Sequence, residues 1–413
     1  MFPLTSNDAV ISGILVLILA FVFNTSSAKS GFLKKFYKYV PPLLLCYFLP
    51  GILNSLGIIR TEDSNIYYFT SRYLLPASLV LFTLSIDLKA IMKLGPKALI
   101  MTLTATFGVI IGGPIAILIV SSFAPGVVGG VGPDEVWRGL ATIAGSWIGG
   151  GANQTAMKEV FGASDQLFSA IVAVDVIVYS AWMAVLLYGA GIHDKIDKWF
   201  KADTSSIDYL KNKITLEQEA NKKVTTPKDY FNLLAAGMGV TALAHFLADY
   251  IAPFFSDNYP GLAKFSLTSH FFWVVLIATT SGLLLSFTKA RKLEHVGASK
   301  FGTLFLYLLI AAIGMQMQIF AIFDNPGLIL VAVIWISIHA GLLIIVGKII
   351  KAPLFFLAVG SQANIGGAAS APVVASAFHP SLATVGVILA VMGYAVGTYG
   401  AWLCGILMRI VSN

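Results

Sequence analysis

Two short stretches of this chain hold residue types that handle ions and small polar molecules. One is Gly145-Ser146-Trp147-Ile148-Gly149-Gly150-Gly151-Ala152-Asn153-Gln154-Thr155. The other is Gly360-Ser361-Gln362-Ala363-Asn364-Ile365-Gly366-Gly367-Ala368-Ala369-Ser370. Both open with Gly-Ser and run into glycines set among amides and hydroxyls. Glycine lets a ligand approach the backbone closely. Where a helix is interrupted, free N–H groups suit an anion and free C=O groups suit a cation. The expected solute-binding set is therefore Gly149, Gly150, Gly151, Asn153, Gln154 and Thr155 with Ser361, Gln362, Asn364, Gly366, Gly367 and Ser370. Neutral oxygens of this kind fit Na⁺ or a polar solute that must be released again. The competing explanation is that the glycines merely permit tight helix packing. A lone glycine pair would favour packing; two matched stretches favour a site.

Asp175 is the next candidate. It sits within the apolar run 170–181, directly after the first stretch. A carboxylate at such a depth in a membrane costs about 2.5–3.5 kcal/mol or more unless paired or hydrated. It is expected to bind Na⁺ or carry a proton, with Asn153, Ser361 and Asn364 as neutral co-ligands; the alternative is a structural hydrogen bond. Gln316 and Gln318, in Gly314-Met315-Gln316-Met317-Gln318, lie on different helix faces, and Gln316 is assigned to the solute site. Asp87, just before Lys89, reads as an interfacial boundary residue. His245, His339 and His379 share no metal-ligand spacing and read as core hydrogen-bonders. Lys158 and Glu159 read as a solvated pair at an aqueous edge.

The elements that must position these residues follow from composition. Of 413 residues, 57% are apolar and 11% charged, against roughly 25% charged in a soluble protein. That deficit excludes a cytosolic enzyme and a disordered chain, and leaves an all-α polytopic membrane protein. The net charge of +7 is spread along the chain, so no nucleic-acid partner is expected. Cys46 and Cys404 both lie in apolar runs and define no disulfide framework.

A spanning helix needs about 20 mostly apolar residues. In a first repeat, 1–190, spans are expected at 8–24, 38–57, 66–88, 97–121 and 166–190. In a second, 229–413, they are expected at 229–253, 268–288, 299–323, 327–348 and 381–408. The glycine-rich stretches lie in 136–162 and 351–378, each a hairpin or a broken helix. A polar linker, 191–228, joins the halves, with an amphipathic helix expected over 207–220. The run after Asp8 lacks a basic leader, so it reads as a retained first span. The halves also echo each other in Tyr179-Ser180-Ala181-Trp182 and Tyr399-Gly400-Ala401-Trp402.

Charge then arbitrates topology, because Lys and Arg collect in cytoplasmic loops. With both interrupted stretches re-entrant and both termini outside, 21 of the 27 basic residues fall inside; only Arg60, Arg72, Arg138, Lys158, Lys264 and Arg409 fall outside. If both stretches cross instead, the better orientation gives 18 against 9. Re-entrant elements make the repeat inverted, with five spans and one hairpin in each half. Crossing, unwound helices remain the alternative. Either way, irregular backbone at membrane depth must line a cavity or be buried in protein.

The pattern resembles the sodium/glutamate symporter family, within the large superfamily of cation/proton antiporters and anion transporters. The resemblance rests on Phe32-Leu33-Lys34-Lys35 followed by Pro41 and Pro42, on Leu84-Ser85-Ile86-Asp87-Leu88-Lys89, and on the Gly-Ser opening of the first hairpin. The first tip departs from the Gly-Gly-His-Gly-Thr type of that family. The second tip also differs, and the tips look closer to an uncharacterised bacterial membrane family typified by YjcL. The resemblance implies a two-domain dimeric carrier of the bacterial inner (plasma) membrane, often sodium- or proton-coupled, with an elevator-like movement of a core against a scaffold.

No GxSxG elbow, P-loop or HExxH motif is present, so neither an enzyme nor ATP-driven transport is expected. No cofactor beyond a coupling Na⁺ is expected. The favoured reading is a secondary active transporter that moves a small polar or anionic solute with Na⁺ or H⁺. Alternatives are a Na⁺/H⁺ antiporter, and a channel or membrane sensor. A mobile core would hold both hairpins, and the first two spans of each half would form the scaffold and the dimer interface. Lipids and the solute are the other expected partners.

Overall fold

The computed structural model describes residues 5–28, 30–37, 40, 42–61, 64–203, 207, 226–316, 325–379 and 382–412. Among them the chain is helical throughout, with a single isolated bridge between Thr5 and Ile59. The expected helix over 207–220 lies outside the described residues apart from Ile207.

Local chemistry starts these helices. Asn7 accepts the amide of Ala9 and opens α1, Asp8–Ser26. Pro96, whose missing N–H costs nothing in a first turn, opens α4, Pro96–Ser121. Thr226 and Asp229 form a reciprocal capping box around Pro227 at the head of α9, Pro227–Asn258. Between α1 and α4 run α2, Pro42–Ser55, and α3, Leu75–Leu84; a π-helical turn, Thr70–Leu74, leads into α3. The first interrupted stretch is two helices, α5 (Val136–Gly149) and α6 (Gly151–Phe161), followed by α7, Asp165–Gly191, and a short amphipathic α8, His193–Phe200. After α9 come α10 (His270–Ser286), α11 (Ala298–Gly314) and α12 (Gly327–Ile349). The second interrupted stretch is α13 (Leu354–Ile365) and α14 (Gly367–Phe378), and α15, Ala383–Ser412, closes the chain.

Among the described residues, six helices are long and apolar enough to cross a membrane by themselves, and up to seven if the bent pair at 270–296 is one span. Their outer faces carry large exposed apolar side chains such as Leu17, Phe231 and Ile349. A soluble monomer does not expose apolar surface on this scale. The protein is a multi-pass, all-helical membrane protein.

Packing sorts the helices into two sets. In one, α3 lies among α9, α10 and α11, while α2 packs on α1 and α11. In the other, α4 packs on α12, α13 and α15, α5 on α6 and α15, and α7 on α5, α12 and α14. The sets meet where α3 and α10 touch α6 and α15, for example in the Phe82–Tyr394 ring stack at 4.4 Å. The helices α1–α3 therefore pack with α9–α11.

Candidate functional site

Both interrupted stretches fold back on themselves as helical hairpins. In the first, Trp137 at the start of α5 lies 5.5 Å, ring to ring, from Phe161 at the end of α6. In the second, Phe355 and Phe378 are 5.4 Å apart. A continuous crossing helix would hold such residues tens of ångströms apart, at 1.5 Å rise per residue.

The hairpins open toward opposite ends of the bundle. Lys158, near the open end of the first, pairs with Asp165 at the head of α7 at 2.6 Å. His193, just past the tail of α7, lies 5.6 Å from Phe378 at the open end of the second. α7 has 27 residues, so about 40 Å separates these ends. The basic loops cluster at the second end: Asp87 pairs with Arg291, and Lys97 reaches Asp203 at 3.4 Å and the carbonyl of Lys351 at 3.2 Å. Asp87 also caps the turn 88–93 by accepting the Ala90 amide.

Between the two tips lies a cavity of about 310 Å³. The first hairpin contributes Ser146, Gly150, Gly151 and Gln154; the second contributes Ile365, Gly366, Ser370 and Val373. α7 adds Asp175, Val176, Tyr179 and Met183, and the far wall comes from α1, α2 and α11 through Phe23, Ser26, Pro42, Leu43 and Tyr307. The cavity thus sits between the two helix sets.

Asp175 is 6% exposed, and its carboxylate is held by neutral donors. Trp147 Nε1 donates to Oδ1 at 2.7 Å and Gln154 Nε2 to Oδ2 at 2.9 Å. Each such bond to a charged group contributes about 1.5–3 kcal/mol. Among the described residues no Lys or Arg lines the cavity, so neutral groups alone orient the carboxyl group. At the second tip Gln362 Nε2 donates to Ser370 Oγ at 2.7 Å, while its Oε1 is buried without a partner. A buried carbonyl oxygen in that condition lacks the bond that would repay its desolvation.

The expected residues divide. Gly150, Gly151, Gln154, Asp175, Gly366 and Ser370 reach the cavity, and Gln362 stands behind Ser370. Gly367 begins α14 with φ +60°. The others are engaged elsewhere. Asn153 accepts from Thr398 of α15 at 2.6 Å and donates to the Gly149 carbonyl. Ser361 accepts from Trp182 Nε1 at 2.9 Å and bonds His339 Nε2 at 2.8 Å. Asn364 donates to the Thr102 carbonyl at 3.1 Å and meets Thr106 at 3.3 Å. These three amide and hydroxyl groups join helices and do not line the cavity. Thr155 bonds back to the Gly151 carbonyl. Gly149 faces α15, where a Cβ would meet Gly397 Cα at 2.8 Å, so at this position close packing is the better account. Gln316 stands beyond the end of α11 and is not among the residues that line the cavity; Gln318 lies outside the described residues.

His339 is a satisfied core residue, bonded also to the Ala105 carbonyl at 3.0 Å. Lys158 and Glu159 are not a solvated pair: their side chains are 5% and 10% exposed. Adjacency along the chain hid their partners, Tyr67 and Arg72, about ninety residues away. The apolar and aromatic cavity wall also carries no sequence signal, since Phe23, Pro42 and Tyr307 read as ordinary span residues.

A family model described as "Protein of unknown function (DUF819)" matches residues 13–411. A relative, the uncharacterized membrane protein YjcL of Bacillus subtilis (strain 168), is 24% identical over 366 residues, covering 84% of this chain and 85% of that protein.

Proposed function

This chain belongs to the DUF819 family, and from that premise we propose that it is a secondary active transporter, coupling Na⁺ or H⁺ to symport of a small polar or anionic solute. The observation that carries the proposal is the buried Asp175 carboxyl group, held by Trp147 and Gln154 at a cavity flanked by two opposed hairpin tips. Interrupted helices meeting near the middle of a bundle are how secondary transporters present helix ends to solute and ion. A carboxylate with only neutral partners calls for a mobile cation or a proton. The unpartnered Gln362 Oε1 and the Ser370 hydroxyl add neutral oxygens. An anionic solute would be held by the N-terminal amides of α6 and α14, since no side-chain cation lines the cavity among the described residues.

The position of the cavity between two helix sets supports an elevator-like cycle. In this reading α1–α3 with α9–α11 form the scaffold and carry a homodimer contact. The hairpins with α4, α7, α12 and α15 form the moving core. Hairpins that open to opposite ends support an inverted repeat. The basic cluster at one end supports a cytoplasmic position for that end in a bacterial plasma membrane, with both termini outside. The motif likeness to sodium/glutamate symporters supports the same class.

Reconstitution tests this. Uptake of labelled dicarboxylates or amino acids into liposomes should require an inward Na⁺ or H⁺ gradient and vanish in Asp175→Asn. Na⁺ should raise the thermal unfolding midpoint of the wild type but not of that variant; if it does neither, sodium is not the ion. A Na⁺/H⁺ antiporter would instead collapse a pH gradient on Na⁺ addition without any solute, and single-channel currents would sink both carrier readings.

A further inference from the structure

The cavity and a partly buried cluster of ion pairs around Lys158 and Glu159 lie toward opposite ends. From the hairpin tips the cavity wall continues through Val373 of α14, Met183 of α7, the last turn of α1 at Phe23 and Ser26, and the first turn of α2 at Pro42 and Leu43. All of these lead toward the end carrying the basic loops. At the other end, the mouth of the first hairpin is tied to the π-helical turn before α3. Lys158 Nζ donates to the Tyr67 hydroxyl at 2.8 Å and pairs with Asp165 at 2.6 Å. Tyr67 in turn donates to Glu159, which pairs with Arg72 at 2.8 Å. Arg72 lies over the Phe271 ring at 4.3 Å, and its backbone carbonyl bonds His245 Nε2 at 2.9 Å.

We propose that the Lys158–Tyr67–Glu159–Arg72 cluster is a latch that seals the end of the protein opposite to the cavity mouth, and that it must open for the cavity to face that side. This rests on the carrier reading given above. Lys158, Glu159 and Asp165 belong to the first hairpin and α7; Tyr67 and Arg72 belong to the chain entering α3. The bonds from Tyr67 and Arg72 thus cross between the two helix sets. An apolar contact here would cost free energy each time water entered. Charged groups exchange one set of partners for another: paired when buried, hydrated when apart. A π-helical turn lodged in a membrane helix leaves a carbonyl free for an outside donor, and such turns recur at functional sites; here His245 occupies the carbonyl of Arg72.

The test needs no solute. A cysteine at Val373, which is 48% exposed and lines the cavity, is labelled with a membrane-impermeant maleimide in vesicles of each orientation. The parent protein, whose Cys46 and Cys404 are both buried, serves as the blank. With the latch intact, labelling should be faster from the side of the basic loops. Tyr67→Phe keeps the ring and both ion pairs, and Glu159→Gln removes the charge that meets Arg72. Both should shift the ratio of labelling rates toward the opposite side, by about tenfold for Glu159→Gln. An unchanged ratio in both variants, in protein that remains monodisperse, overturns the latch. Flux is read separately. Transport with an unshifted ratio rejects the latch alone, whereas a shifted ratio without any flux rejects the carrier reading alone.

Discussion

The two hairpins share a plan and differ in where they keep their charge. The first tip reaches Asp175 through Trp147 and Gln154, and its outer mouth carries a partly buried ion cluster. The second tip is neutral throughout, built on Gln362 and Ser370, and α13 is held by Ser361 and Asn364. Even their glycines serve different ends. Gly150 has φ 76° and ψ −174°, a backbone region open only to glycine, while a Cβ there would find its nearest neighbour at 3.7 Å. Gly366 has an ordinary φ of −118°, but a Cβ there would strike Gln362 Nε2, Ser370 Oγ and Tyr179. One glycine is required by the chain's direction, the other by space. On the carrier reading, a site in which one hairpin supplies the carboxylate and the other neutral oxygens needs only one mobile cation to balance it.

The sharpest way to break this contrast is Asp175→Asn. If charge at the first tip drives coupling, gradient-driven uptake should fall by about a hundredfold or more, as expected when a transported cation loses its only charged partner. Correct insertion is checked by expression and elution profile. A variant that retains uptake and its ion dependence would transfer the ion site to the neutral second tip. Next in size is Gly366→Ala. Its methyl group would displace Ser370 and Gln362, so apparent solute affinity should weaken by about tenfold, a displaced hydrogen-bond pair being worth about 1.4 kcal/mol. Uptake measured over a range of solute concentrations would show this as a raised half-saturation point with folding retained.

The helices and their interruptions were largely legible in the sequence. Apolar runs of fixed length and two glycine clusters leave little freedom, and the break at Gly150 falls inside the Gly149–Gly151 triplet. Asp175 stood out because charge is so scarce in spans. What the sequence could not convey was the allegiance of polar side chains whose partners are distant along the chain. Asn153 turns to Thr398, Asn364 to Thr102, and Ser361 to His339 and Trp182. Each amide or hydroxyl fits a ligand shell and an interhelical bond equally well, so composition alone cannot choose. The same holds for Lys158 and Glu159: as neighbours they suggest a solvated pair, and only the approach of Tyr67 and Arg72 makes them a buried cluster. Hydropathy likewise does not say what α3 and α11 pack against; the structure sets them with α1, α2, α9 and α10.

Gly150→Ala tests the other half of the glycine contrast. Space is available, so the cost is backbone strain alone, about 2 kcal/mol for a residue forced into the glycine-only region. The unfolding midpoint should drop while the solute half-saturation point stays near that of the wild type. An equal loss of affinity in Gly150→Ala and Gly366→Ala would erase the distinction between the two tips.

The smallest expected effect comes from Ser361→Ala. This hydroxyl holds Trp182 and His339, and so ties α13 to α7 and α12. Interhelical hydrogen bonds in membranes are worth about 0.6 to 2 kcal/mol, so a loss of about 1 kcal/mol in thermal or denaturant unfolding is expected. The ion dependence of uptake should be unchanged, because Ser361 is fully buried among helices and does not line the cavity. A loss of ion dependence instead, at unaltered stability, would make Ser361 an ion ligand after all. That result would extend the ion site from Asp175 to the second hairpin, and both halves would then share the coupling that we propose for the first.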